Sequence, residues 1–400
     1  GKLSITKRTD IIVITTPTRS RAYNGRKLLD YSCTYTGTIA DGDELIMTFP
    51  EDDGLINAGS KPNQYERYRV ERKSDGRNVT NNYTFGEPII GTLTVTPVAI
   101  ELTAASDSKP YDGTPLTKND YKITNGAFVG EQGLESVTVV GSQTLVGESA
   151  NTITAHTLKE KTLVQNYTIT YQPGKLTVTK NEKAITVTAN SHTWEYDGQP
   201  HSDGGYTVEY DGQTYKVEAG ETATLPTGDV VKATVEGTVT NVADSADDNN
   251  VVTNVTIANR AGDTVNDQYK TITRVEGGLK ITQRGAGDMK VVLTAANNTV
   301  VYDGQPHGVK LNDKGEIEAG VSYTITNLAD GHKVKSVVIS GTETAVGEYE
   351  NRLVPSGAKI VDAEGNDVTR NYVVGYKNGK LTITSPDTVI VTIRGNKDTV

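Results

Sequence analysis

Two Asp/His pairs at the same spacing are the first residues in the chain that could do chemistry. His201 lies four residues after Asp197, and His307 lies four after Asp303. A carboxylate and an imidazole could supply half of a zinc site, but zinc takes three or four such ligands. Two further copies of the surrounding motif have Leu28 and Leu116 in that place, so the spacing predicts solvated turn histidines. His156, His192 and His332 stand alone. Calcium is the better metal question. Asp362, Glu364 and Asp367 fall in one oxygen-rich run, and Asp244 with Asp247, Asp248, Asn249 and Asn250 in another. Neither has the spacing of an EF-hand loop, which favours acidic surface turns. Asp362, Glu364 and Asp367 stand as weak calcium candidates, and no other cofactor is expected. Trp194, the only tryptophan, could stack on a sugar ring. It is two residues from Tyr196 on one face of a strand, and core packing is the competing reading.

Catalytic motifs are missing from the sequence. It has no Gly-x-Ser-x-Gly, no His-Glu-x-x-His, no phosphate loop and no Cys/His pair. The single cysteine, Cys33, permits no intramolecular disulfide and reads as a small core residue in an alternating stretch. A Lys–Asn isopeptide staple could join Lys183 or Lys290 to Asn166 or Asn371, although no catalytic carboxylate can be assigned. Leu225-Pro226-Thr227-Gly228 is one residue short of a sortase signal and aligns with Leu328–Gly331, so it reads as a turn.

The elements carrying these residues repeat. Tyr23-Asn24-Gly25 returns as Tyr111-Asp112-Gly113, Tyr196-Asp197-Gly198 and Tyr302-Asp303-Gly304, at intervals of 88, 85 and 106 residues. An alternating strand opens eleven residues before each tyrosine, at Ile12, Ile100, Ile185 and Val291. A long period with a fixed internal offset means tandem domains. The recurrence of Tyr-Asp-Gly argues for architecture, with Tyr near a corner and Asp capping a tight turn whose Gly adopts φ > 0. Later in each repeat come a middle pair of strands and a closing hairpin. Asn166–Tyr171 is expected to turn at Gln172-Pro173-Gly174, and Asn371–Ile383 at Asn378-Gly379.

No stretch shows a sustained helical period. Six to eight short strand candidates per repeat predict an all-β chain of four antiparallel Ig-like β-sandwich modules. The alternative is a β-grasp, whose helix could only be sought at 63–70. The repeats are 9–97, 98–180, 181–284 and 285–386. Residues 1–8 match the last strand of a preceding repeat, and 387–400 the first strand of a following one, which implies a segment of a longer polypeptide. Linkers are short. At about 3.3 Å per strand residue, each module adds roughly 35–40 Å and four make a rod of roughly 150 Å.

Composition agrees. Twenty Tyr against three Phe and two Met suits thin sheets whose rings pack inward while hydroxyls find partners. A net charge of −10 without a basic cluster disfavours nucleic acid. No apolar run is long enough to span a membrane.

The combined pattern resembles the YDG/MBG-type repeats of Gram-positive bacterial cell-surface adhesins. The likeness is carried by the opening strand, Tyr-Asp-Gly, Asn-Tyr and Gly-x-Leu-Thr-Val-Thr, and most closely by Gly365–Tyr372 and Gly76–Tyr83. Repeats one and three depart from it, with Asn24 for Asp and Gln268 before Tyr269. The resemblance implies a secreted, wall-attached, elongated and non-enzymatic stalk that projects a distal binding domain. Host glycan, mucin or matrix protein would be met through the parent protein, and the segment itself would be a monomeric rod. Weak multivalent binding by the repeats, or a role as accessory domains of a secreted glycoside hydrolase or protease, are the alternatives.

Overall fold

A computed structural model describes residues 1–308 and 322–386, together with 392 and 394. The strand expected over 387–400 therefore lies outside the described residues. The chain forms two compact units, Gly1–Lys180 and Asn181–Val400. Each unit contains two β-sandwiches in succession. Among the described residues there is no α-helix, only short 3-10 turns. The stretch a β-grasp would need as a helix runs instead into the strand Arg67–Arg72, which pairs antiparallel with Asp43–Thr48.

The second sandwich shows the plan. Val98–Ala104 lies between Tyr121–Asn125 and Tyr167–Gln172 in one sheet. The facing sheet runs Asp107–Pro110, Gly174–Thr179, Gly147–Leu158, Leu134–Val140. Period-2 alternation turns Ile100, Leu102 and Ala104 inward, where they cluster with Val139 and Ile153. Burying each such Leu or Ile side chain stabilises the fold by about 1.5–3 kcal/mol. The other opening strands, Ile11–Thr15, Ile185–Ala189 and Val291–Ala295, are also central, each with an antiparallel and a parallel neighbour.

The closing segments are not hairpins. Tyr167–Gln172 pairs parallel with Val98–Ala104 in one sheet, while Gly174–Thr179 pairs with Asp107–Pro110 and Gly147–Leu158 in the other. Val374–Lys377 and Gly379–Thr384 are split between sheets in the same way. The Pro-Gly and Asn-Gly signals therefore mark a crossing from sheet to sheet. The opening segment crosses beside the closing one, which is why each sandwich adds parallel pairs to its antiparallel ladders. At the crossing the two backbones nearly touch. A Cβ at Gly379 would lie 2.6 Å from the Ala296 carbonyl oxygen and 2.7 Å from that of Ala295. Glycine is required there by space and not by a turn.

A fully buried asparagine ties this crossing together in two sandwiches. Asn151 Nδ2 donates to the carbonyls of Ala105 (2.8 Å) and Lys118 (2.7 Å). Asn250 Nδ2 donates to those of Asn190 (2.8 Å) and Asp203 (2.9 Å). Each amide satisfies two carbonyls that the interrupted ladder would otherwise leave unpaired.

Candidate functional site

The Tyr-Asp-Gly turn ends the strand that enters the second sheet. Its acidic residue, or Asn24, accepts the backbone N–H two residues on: Asn24 from Arg26 (3.1 Å), Asp112 from Thr114 (2.9 Å), Asp197 from Gln199 and Asp303 from Gln305 (both 2.8 Å). The glycines Gly25, Gly113, Gly198 and Gly304 have φ between +73° and +83°, a region other residues enter at a cost. Burial opposes ionisation of Asp112, but the hydrogen bonds from Lys109 and Thr114 hold its carboxyl below the usual range. At Asp197 burial is likewise outweighed, by the Gln199 amide and His201.

The tyrosine of this motif reaches the next sandwich within its unit. In the first unit, the Tyr23 ring meets the Tyr167 ring edge to face, centroids 5.7 Å apart. In the second, Tyr196 meets Tyr372 the same way at 5.4 Å. Such pairs contribute about 0.5–1.5 kcal/mol beyond the area they bury. Tyr23 and Tyr196 are 5% and 2% exposed, whereas Tyr302 is 40% exposed. Tyr111 is also buried. The glycine matters at the same surface. A Cβ on Gly198 would come 2.9 Å from His332 Nε2, and one on Gly25 3.1 Å from Val129 Cγ1.

The asparagine before the second tyrosine completes the joint. Asn166 Oδ1 accepts the Ala58 N–H at 2.8 Å, and its Nδ2 donates to Asn57 Oδ1 at 3.0 Å. Asn371 Oδ1 accepts the Val242 N–H at 2.9 Å, and its Nδ2 donates to Asn241 Oδ1 at 2.7 Å. One carboxamide thus binds the backbone and side chain of a loop in the preceding sandwich. Around the second joint, Arg284 Nη1 donates to the Tyr196 carbonyl at 3.2 Å and the Gly285 N–H to Glu195 Oε1 at 3.1 Å. The apolar cluster there includes Tyr196, Val239, Leu279, Ile281, Val291 and Tyr372. Within each unit the two sandwiches therefore share core.

The tyrosine after that asparagine closes its own sandwich. Its hydroxyl accepts a loop N–H from Ala40 (3.1 Å), Val129 (3.0 Å) or Ala329 (3.1 Å) for Tyr83, Tyr167 and Tyr372. It donates its proton to Asp43 for Tyr83 and to Gln132 for Tyr167, and Tyr372 pairs with His332 Nδ1; Tyr269, which follows Gln268, donates in the same way to Asp229. Burial raises all four phenol pKa values, that of Tyr372 to about 12. In the phrase Asp367-Val368-Thr369-Arg370-Asn371-Tyr372, Asp367 and Thr369 also have structural parts. Asp367 caps Thr369 N–H at 3.0 Å, and Thr369 Oγ1 accepts the Ile360 N–H at 2.9 Å.

The other candidates resolve as follows. Asp362 accepts the Asn366 N–H (2.8 Å) and Nδ2 (2.9 Å), and the Asn366 side chain leads the causes that hold its carboxyl below the usual range. Glu364 is exposed. Among the described residues, no group of three or more His, Cys, Asp and Glu could hold a metal ion. Asp244 instead forms a capping box with Asn241. Trp194 is half-buried and packs against the apolar cluster of the second joint, with the rings of His192 (4.2 Å, 5°) and His201 (4.9 Å, 17°) stacked on it. The turn histidines are half-buried, with Nε2 of His201 2.9 Å from Asp197 and that of His307 2.8 Å from Asp303. Cys33 is half-buried, and burial raises its thiol pKa. The asparagines of the isopeptide reading, Asn166 and Asn371, make hydrogen bonds in the joints. Lys183 pairs with Asp211, and Lys290 donates to the Ala286 carbonyl.

Sequence reasoning missed His332 and Gln132. The available signal was position: both follow the loop residue that binds the tyrosine hydroxyl by three, at Ala329 and Val129. No helix among the described residues is long and apolar enough to cross a membrane.

No protein-family model matches this chain, and no curated protein does. Among solved structures, Drosophila N-cadherin EC1-4 is similar at TM-score 0.18 and 8% identity, covering 92% of this chain and 99% of that one. The Bacillus anthracis TIE protein gives 0.19 and 7%, covering 96% and 76%. The four N-terminal Ig domains of Dscam1 isoform 4.44 give 0.14 and 12%, covering 94% and 100%. Scores this far below 0.5 do not establish a shared fold, so the description of the sandwiches rests on the strand pairings above.

Proposed function

We propose that this chain is a non-enzymatic stalk segment of a bacterial cell-surface adhesin, holding a distal binding domain away from the wall. The observation that carries the reading is the repeated joint. The same Tyr, Gly, Asn and Tyr lock one sandwich to the next at both places where two sandwiches share a unit. A binding or catalytic module needs a site, and one copy suffices. A spacer needs reproducible stiffness between copies, and that is where the repeated polar residues are spent. The bacterial surface and the partners (host glycan, mucin or matrix protein) come from the sequence resemblance.

Small-angle scattering of the 400-residue chain tests this. A maximum dimension of roughly 150 Å, from about 3.3 Å per strand residue, supports the stalk. A dimension near half that overturns it, because the sandwiches would then fold back on one another.

A further inference from the structure

His332 occupies the place in the second joint that Gln132 occupies in the first. Each is hydrogen-bonded to the Asn-Tyr hydroxyl and packs against the preceding sandwich's Tyr-Asp-Gly turn. Gln132 has no proton equilibrium in the physiological range, whereas histidine is the side chain suited to one. Ala329 N–H donates to the Tyr372 hydroxyl oxygen at 3.1 Å, which directs the hydroxyl proton toward His332 Nδ1, 2.8 Å away. With the hydroxyl as donor, Nδ1 is the bare nitrogen of a neutral ring, the tautomer on which the inference is built.

We propose that the joint between the third and fourth sandwiches is a pH-sensitive lock, closed while His332 is neutral and loosened when its Nδ1 takes a proton. Protonation turns the acceptor into a donor facing a hydroxyl whose oxygen already holds the Ala329 N–H. The ring has little room to turn away. Tyr196 and Tyr372 meet it at 5.8 and 6.0 Å, and Gly198 lies against Nε2. The charged groups acting on it are Asp362 and Glu364, which favour the cation, and Arg284, which opposes it. Burial is the largest influence, and the net effect lowers the imidazole pKa from its ordinary 6.5. A histidine lowered in the folded state stabilises fully above the unfolded value. That stability is lost as pH falls below 6.5 toward the folded value. The inference rests on the joint's geometry and not on the stalk reading.

Amide hydrogen exchange by NMR on the full chain tests it, at about pH 8 and about pH 5, on either side of an ordinary imidazole pKa. The reporters are paired. Val242 and Ala329 amides sit in the second joint, and Ala58 and Val129 amides hold the same places in the first. Corrected for intrinsic exchange, protection of Val242 and Ala329 should fall severalfold at the lower pH, with Ala58 and Val129 unchanged. His332→Gln should abolish the fall, and Gln132→His should confer it on Ala58 and Val129. Equal protection of Val242 and Ala329 at both pH values overturns the proposal, as does a fall that survives in His332→Gln.

Discussion

The rings of Tyr196 and Tyr372 meet at 83° with centroids 5.4 Å apart, one from the Tyr-Asp-Gly turn of a sandwich and the other from the Asn-Tyr of the next. Tyr23 and Tyr167 reproduce the contact at 82° and 5.7 Å. The two most conspicuous repeated motifs of the chain are thus two halves of one joint.

Alanine at Tyr23 or Tyr196 should cost about 3–5 kcal/mol, as for other large aromatic truncations in a core. Alanine at Tyr302, at 40% exposure, should cost under about 1 kcal/mol. Urea unfolding checks this, with Trp194 fluorescence following the second unit. Equal losses at Tyr196 and Tyr302 would show that the motif acts only within its own sandwich.

Asn371→Ala should cost about 1–3 kcal/mol, because it leaves the Val242 N–H without its acceptor and removes one of the donors to the Asn241 carboxamide oxygen. Exchange at Val242 should quicken well before exchange in the central strand Val291–Ala295. Uniform loss of protection would mean that the joint and the fourth sandwich open together.

Gly198→Ala and Gly304→Ala separate conformation from contact. Both positions have positive φ, +83° and +78°, and a left-handed non-glycine costs about 1–2 kcal/mol. Among the described residues only Gly198 of the two has a neighbour within reach of a Cβ, nothing lying within 4 Å of one at Gly304. Gly198→Ala should therefore lower the melting temperature more, and identical shifts would leave the turn alone as the cause.

His201→Ala should uncover one face of Trp194. Tryptophan emission should move to the red and acrylamide should quench it more strongly. His156→Ala, whose ring meets Tyr171 in the first unit, should leave the emission unchanged. Unaltered emission in His201→Ala would mean that the indole is shielded by the core on its other sides.

Asn151→Asp should destabilise by several times the cost of an ordinary surface change, about 0.5 kcal/mol or less. It replaces a donor to two carbonyls with a carboxylate that repels them. The change should be read as a lower urea midpoint with an unaltered slope. An unchanged midpoint would show that the crossing holds without its asparagine.

What the sequence by itself determined is local. Alternation at Ile100, Leu102 and Ala104 decides which face of a strand is buried, and Asp-Gly decides where the chain turns, because both depend on residues within a few positions. The four-fold recurrence showed tandem β-sandwiches and marked the motif residues. Only the tertiary structure decided what those residues touch. Pro173-Gly174 and Asn378-Gly379 look like hairpin turns in one dimension. They are sheet crossings because Ala104–Ala105 and Ala295–Ala296 pass against the glycines from far along the chain. Asn371 and Val242 are 129 positions apart, and no local pattern pairs them. His332 carried no motif, since its role follows from where Tyr372 and Gly198 converge in space.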